Sequence, residues 1–107
     1  MRCTIKKQSG GEIIASGISD ATVQEFEGNW YFKPEVVNMH YFRVTDRTYT
    51  CPYKGIAFWI DLEAPGARMR SIGWVYQNPK PGYEFIKDQI GFYRRNTAAT
   101  IAIQESD

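Results

Sequence analysis

Only two cysteines, Cys3 and Cys51, and a single histidine, His40, occur among the 107 residues of this chain. Structural zinc is held by four ligands at close spacings, and no such set exists here, so no metal is expected. An excess of charge of one sign is missing too. Thirteen basic and 12 acidic residues leave a formal net charge of +1. Proteins that track nucleic acid concentrate basic side chains on one surface. Beyond Lys6-Lys7 the one basic doublet is Arg94-Arg95, so no nucleic-acid partner is expected. No run of eighteen apolar residues could form a membrane-spanning helix, and Met1 to Ile14 lacks the apolar segment of a secretory signal. The expected setting is the cytoplasm, with both thiols reduced and no membrane partner. Internal repeats, low-complexity tracts and linkers are absent, so residues 1–107 read as a single domain. There is no glycine-rich phosphate loop and no tight pair of metal-binding carboxylates, and nothing calls for a cofactor.

Aromatic residues are plentiful. Seven Tyr, six Phe and three Trp make up 15% of the chain. Such residues favour strands and also line pockets and interfaces, so their number alone decides nothing. Their arrangement says more. Turn signals recur at short intervals, which predicts many short strands. Arg2 to Gln8 and Glu12 to Ser16 flank the turn Ser9-Gly10-Gly11 and read as a hairpin, with a loop over Gly17 to Asp20. Thr22 to Phe26 and Asn29 to Lys33 flank Gly28 and form a second hairpin, with Gly28 and Asn29 read as a two-residue turn of the II′ kind. Trp30 and Phe32 then share one face and Tyr31 and Lys33 the other.

Pro34 to Met39 reads as a short helical turn, with proline at its first position and Glu35 at its positive end. Tyr41 to Val44 is extended, and Thr45 to Thr48 is polar and turn-like. From Gly55 the alternation is clean: Ile56, Phe58, Ile60 and Leu62 on one face, Ala57, Trp59, Asp61 and Glu63 on the other. Pro65-Gly66 turns the chain into a partner strand, Arg70 to Tyr76. Gly73 in mid-strand signals close approach of another group. Gln77 to Gly82 is irregular, and Tyr83 to Gln89 forms one or two helical turns with Phe85 and Ile86 inward. Ile90 to Tyr93 and Ala98 to Gln104 are the last strands. The predicted class is mainly β and antiparallel.

Several of these pieces carry a likeness: Ile13-Ile14-Ala15-Ser16, Glu27 to Val36, Asp46 to Gly55, Gly73-Trp74-Val75-Tyr76, Pro79-Lys80-Pro81 and Ile90-Gly91-Phe92-Tyr93. In this order and spacing they resemble the domain-of-unknown-function family four-two-seven, which carries a nucleotidyltransferase-like label. The likeness spans about residues 10–93, and Cys51-Pro52-Tyr53-Lys54-Gly55 is its most specific block. The resemblance implies a small β-tent-like (Mss-four-like) domain of two antiparallel sheets with one or two short helical turns. That architecture is shared with zinc-bearing relatives whose aromatic pockets hold small ligands; without their Cys-x-x-Cys pairs the zinc is not carried over. Two departures stand out. Arg47 replaces a histidine, removing a candidate general base beside the block, and Lys33 precedes Pro34.

The block also gathers the groups with most chemical potential. Lys54, between Tyr53 and Gly55, can grip an anionic or carbonyl group, serve as a desolvated base or Schiff-base amine, or pair with Glu25 or Glu35. Cys51 can act as a thiolate if a nearby cation lowers its pKa, or pack as an inert core thiol. Tyr53, Trp74, Tyr76, Trp30 and Trp59 are candidate walls of a small-ligand pocket, with Glu25 beside them; the alternative fate of such rings is the core. The sequence therefore supports three functions: a small-ligand-binding domain near Cys51–Gly55, an enzyme of unspecified reaction using Lys54 or Cys51 at the same place, or a protein-interaction module built on exposed aromatics.

Overall fold

A computed structural model of the chain describes residues 1–106. Nine strands run in order: β1 (Arg2–Lys7), β2 (Ile13–Ile18), β3 (Val23–Phe26), β4 (Asn29–Phe32), β5 (Phe42–Cys51), β6 (Gly55–Ala64), β7 (Ala67–Val75), β8 (Ile90–Tyr93) and β9 (Thr100–Glu105). The helical content is three single 3₁₀ turns, Pro34–Val36, Met39–Tyr41 and Glu84–Ile86. The strands form two antiparallel sheets. The smaller has the order β2-β1-β9, and the larger β3-β4-β8-β7-β6-β5.

Strict alternation builds the core. Cys3 and Ile5 on β1, Trp30 and Phe32 on β4, Ile60 and Leu62 on β6, and Ile90 and Phe92 on β8 are all buried in one cluster fed by both sheets. Successive side chains on a strand point to opposite faces, so each pair sends two side chains into the same layer. Phe32 lies edge-on to Trp30 at 6.3 Å and to Phe92 at 5.8 Å between ring centroids. Both Phe32 and Phe92 are fully shielded from solvent. Gly73 is needed for the same layer: a Cβ there would lie 2.6 Å from the Gly91 carbonyl oxygen and 3.3 Å from the Phe92 ring.

Several local expectations are corrected. The β3–β4 turn is Glu27-Gly28, because Phe26 pairs with Asn29. Both turn residues have positive φ, 55° and 77°, which is the I′ and not the II′ pattern. The polar Thr45 to Thr48 segment is no turn; it is a bulge inside β5, where the register to β6 slips between Val44 and Thr48. Strand β2 continues through Gly17 to Ile18, where a loop was expected. Phe85 is 45% exposed and only Ile86 turns inward, because a single 3₁₀ turn sends its neighbours to different sides. Ile56 is 50% exposed, since β6 begins beyond the reach of the core layer.

Candidate functional site: an aromatic cleft on the large sheet

The face of the large sheet turned away from the core carries a second, aromatic layer. Tyr31, Trp74, Tyr76, Cys51, Ala57 and Ile86 are buried in it, with Phe26, Trp59 and Tyr93 packed against them. The register explains the row. Tyr31 on β4 and Trp74 on β7 both sit opposite Gly91 on β8, and Trp74 sits opposite Trp59 on β6. Gly91 supplies no side chain, so the large rings on either side close over it. An added Cβ at Gly91 would stand 2.4 Å from Trp74 Nε1. The Trp74 indole packs edge-on to Tyr31 (6.1 Å), Trp59 (6.2 Å) and Tyr93 (5.0 Å), and its Nε1 donates to the Tyr31 hydroxyl at 3.1 Å.

These rings border a cleft of about 300 Å³ lined by Asn29, Tyr31, Tyr49, Lys54, Ala57, Trp59, Trp74, Tyr76 and Tyr93. Gaps in the aromatic rows make the hollow: Ala57, opposite Tyr49, is a methyl among rings. Lys54 is the one charged side chain in the lining. Among the described residues the Tyr76 hydroxyl has no hydrogen-bond partner, yet no fully enclosed polar side-chain atom is left unpaired. The hydroxyl therefore opens onto the cleft. Burial pushes its pKa up to about 12. Burial also raises that of Tyr31, although the Trp74 N–H donation works the other way. Both phenols thus stay neutral donors across the physiological range.

The block from Cys51 to Gly55 is the turn joining β5 to β6, and it sets Lys54 at the end of the cleft. Three contacts fix its backbone. The Lys54 N–H donates to Cys51 Sγ at 3.4 Å, the Lys80 N–H donates to the Lys54 carbonyl at 2.9 Å, and Lys80 Nζ donates to the Pro52 carbonyl at 3.0 Å. Gly55 closes the turn with φ +107°, a conformation that side chains disfavour. From this base Lys54 reaches across to the β3–β4 turn and donates to Glu27 Oε1. Its ammonium lies 5.8 Å from the Phe26 ring centroid and 5.9 Å from that of Tyr76, within cation–π range. Burial, the largest single influence, acts to lower the Lys54 pKa, but the Glu27 hydrogen bond together with the charge interactions of Tyr76, Glu27 and Cys51 makes the net shift upward. Lys54 is thus a held cation, which suits a grip on negative charge and not a free amine nucleophile.

The remaining expected residues are dispersed. Trp30 is 3% exposed in the inter-sheet core, on the face of β4 opposite the cleft. Tyr53 is 72% exposed at the tip of the turn and does not border the cleft. Glu25 pairs with Arg94 on the surface. Cys51 is buried in the same cluster as Tyr31 and Trp74 but does not line the cleft. Burial opposes its thiolate, but the N–H groups of Lys54 and Tyr53 prevail and bring its pKa below the ordinary thiol value. Arg47 makes two hydrogen bonds to Asp61, at 3.1 and 2.5 Å, and one to Ser71 Oγ at 3.1 Å. Next to it Thr45 Oγ1 donates to the Trp59 carbonyl at 2.8 Å, so the bulge in β5 buttresses a cleft wall. Lys54, Trp74, Tyr76 and Trp59 come together along the cleft. Glu27, Tyr31, Tyr49, Tyr93 and Asn29 were missed, although Gly91 flanked by aromatics gave a signal for the ring pair closing over it.

Two antiparallel sheets enclosing a core, with an aromatic layer and Lys54 on the outer face of the larger sheet, define a mainly β domain. The chain belongs to the family described as Domain of unknown function (DUF427), whose model, labelled NTP_transf_9, matches residues 1–103. A search of curated proteins found no match. Among the described residues no helix is long and apolar enough to cross a membrane.

Proposed function

We propose that the domain binds a small planar ligand in the aromatic cleft, with Lys54 holding an anionic or carbonyl group of that ligand. One observation carries the reading: an aromatic-walled hollow of about 300 Å³ contains one ammonium and an unpartnered Tyr76 hydroxyl. Ligand sites are typically apolar clefts of this size with a few convergent polar groups. The Trp59 and Trp74 rings offer faces and edges for stacking, and a cytoplasmic metabolite is the expected occupant.

The enzymatic alternative needs a neutral amine or an accessible thiolate. The upward shift at Lys54 and the burial of Cys51 weigh against it. The interaction-module alternative draws on Tyr53, Tyr49 and Ile56, which are all at least half exposed around the β5–β6 turn, although Ile56 faces away from the cleft. A metabolite panel followed by thermal shift tests the main reading. A ligand at about 100-fold excess over its Kd adds roughly 2.7 kcal/mol of stability. The response should vanish in Trp59→Ala and fall in Lys54→Ala. A response that survives both substitutions would refute it.

A further inference from the structure

Lys54 and Glu27 are unequal partners. The lysine side chain is 14% exposed and the glutamate 52%. Lys54 leaves a turn whose backbone is tied to Cys51 and Lys80, and two rings flank its ammonium. Glu27 stands on a two-residue turn at φ +55°, and among the described residues Lys54 is its one side-chain partner. Returning an exposed carboxylate to water costs little. Leaving a shielded ammonium without a counter-charge costs much more. The cation is therefore the fixed half of the pair and the anion the replaceable half.

The rest of the lining points the same way. No carboxylate borders the cleft. Trp59 Nε1, the Asn29 amide and the tyrosine hydroxyls are all able to donate, and among the described residues Trp59 Nε1 and the Tyr76 hydroxyl have no partner. A site rich in donors, with a single ammonium at one end, matches a ligand that brings acceptors and one negative charge.

Resting on the ligand-binding reading above, we infer that the ligand class is a planar ring bearing a carboxylate, which takes the place of Glu27 on the Lys54 ammonium. Glu27 then acts as a resident counter-ion. It keeps the site neutral when empty and competes with the incoming carboxylate. It is a specificity residue that weakens binding of the very group it imitates. The carboxylate sits at the Lys54 end, the ring lies against Trp59 and Trp74, and Glu27 turns out into water.

The test uses 2-naphthoate and its neutral isostere 2-naphthamide as probes, titrated into wild type, Glu27→Gln and Lys54→Met and followed by the indole N–H resonances of Trp59 and Trp74. Naphthoate should bind wild type about tenfold more tightly than naphthamide, equivalent to about 1.4 kcal/mol. Glu27→Gln should tighten naphthoate several-fold and leave naphthamide unchanged. Lys54→Met should level the two probes. Weaker naphthoate binding in Glu27→Gln, or equal affinity of the two probes in wild type, overturns the counter-ion inference while leaving the cleft reading intact. If neither probe moves the two indole signals at its solubility limit, both fail. Both side chains project from surface turns, so a wild-type melting temperature in each variant confirms that the fold is retained.

Discussion

Replacing Gly91 by alanine adds one methyl group, yet the geometry predicts a large effect. The new Cβ would lie 2.4 Å from Trp74 Nε1, 2.5 Å from Cε2 and 3.0 Å from Cδ1. Contacts under 3.0 Å are not sustained, so the indole must move. It cannot tilt freely, because Tyr31, Trp59 and Tyr93 hold it on three sides. Overpacking of this kind costs about 1–3 kcal/mol. Loss of the Trp74–Tyr31 hydrogen bond costs roughly 1 kcal/mol more. The stiffer unfolded chain offsets about 0.4–1 kcal/mol. The net loss is about 2 kcal/mol. In a domain of roughly 100 residues each kcal/mol shifts Tm by about 4–8 °C, so the midpoint should fall by on the order of 10 °C. Urea unfolding measures the free energy, and near-UV circular dichroism reports the displaced indole. Adding Trp74→Phe removes the pyrrole edge that the methyl strikes, so the double variant should be less destabilised than the sum of the singles. A Gly91→Ala protein within about 0.5 kcal/mol of wild type, with an unchanged aromatic spectrum, would refute the packing described for the cleft.

Alkaline titration followed by phenolate absorbance should show a late-titrating tyrosine near pH 12 that disappears in Tyr76→Phe. The unfolded phenol releases its proton near pH 10 and the folded one near 12, so between these values the unfolded state binds fewer protons. Stability therefore falls with rising pH across that window, by roughly 2–3 kcal/mol in total; a melting temperature insensitive to Tyr76→Phe there contradicts the buried phenol. At the acid end, Asp61 accepts two bonds from Arg47 and one from the Ser71 N–H at 2.9 Å, and the Arg47 guanidinium holds its pKa below the usual carboxylate value. Its contribution is present above the unfolded pKa, near 4, and is lost as pH falls through the lower folded value. Asp61→Asn should therefore destabilise at neutral pH by about 1–2 kcal/mol and much less near pH 2; an equal loss at both values would mean that the charge is not what matters.

The antiparallel strands were legible because alternation and turn chemistry act locally, whereas their division into two sheets followed from the family likeness. Ile60 and Leu62, or Trp30 and Phe32, announce a shared face by spacing alone, and Pro65-Gly66 announces its turn. The bulge at Thr45 to Thr48 was not legible. A polar stretch looks like a turn until its partners Asp61 and Ser71, on two other strands, are known. The candidate site was legible in part for the same reason. Lys54 and Trp74 stand out by their chemistry, whereas Glu27 lies in a stretch that carries the family likeness but gains its role only because the sheet order brings its turn across from Lys54. Tyr53 and Trp30 show the limit of composition: one aromatic beside the motif faces solvent, and the other lies on the wrong side of its strand. Strand register separates such cases, and register is set by pairing at long range.

The central claim concerns where a ligand sits, and the three tryptophans provide a direct reading of it. Trp59 and Trp74 border the cleft, while Trp30 lies in the core on the opposite face of the sheet. The indole N–H region of a two-dimensional NMR spectrum therefore contains two reporters and one internal control. Titrating a hit from the metabolite panel should shift the Trp59 and Trp74 signals in proportion to occupancy and leave Trp30 in place. Binding that moves Trp30 alone, or that leaves all three where they were, would contradict the account.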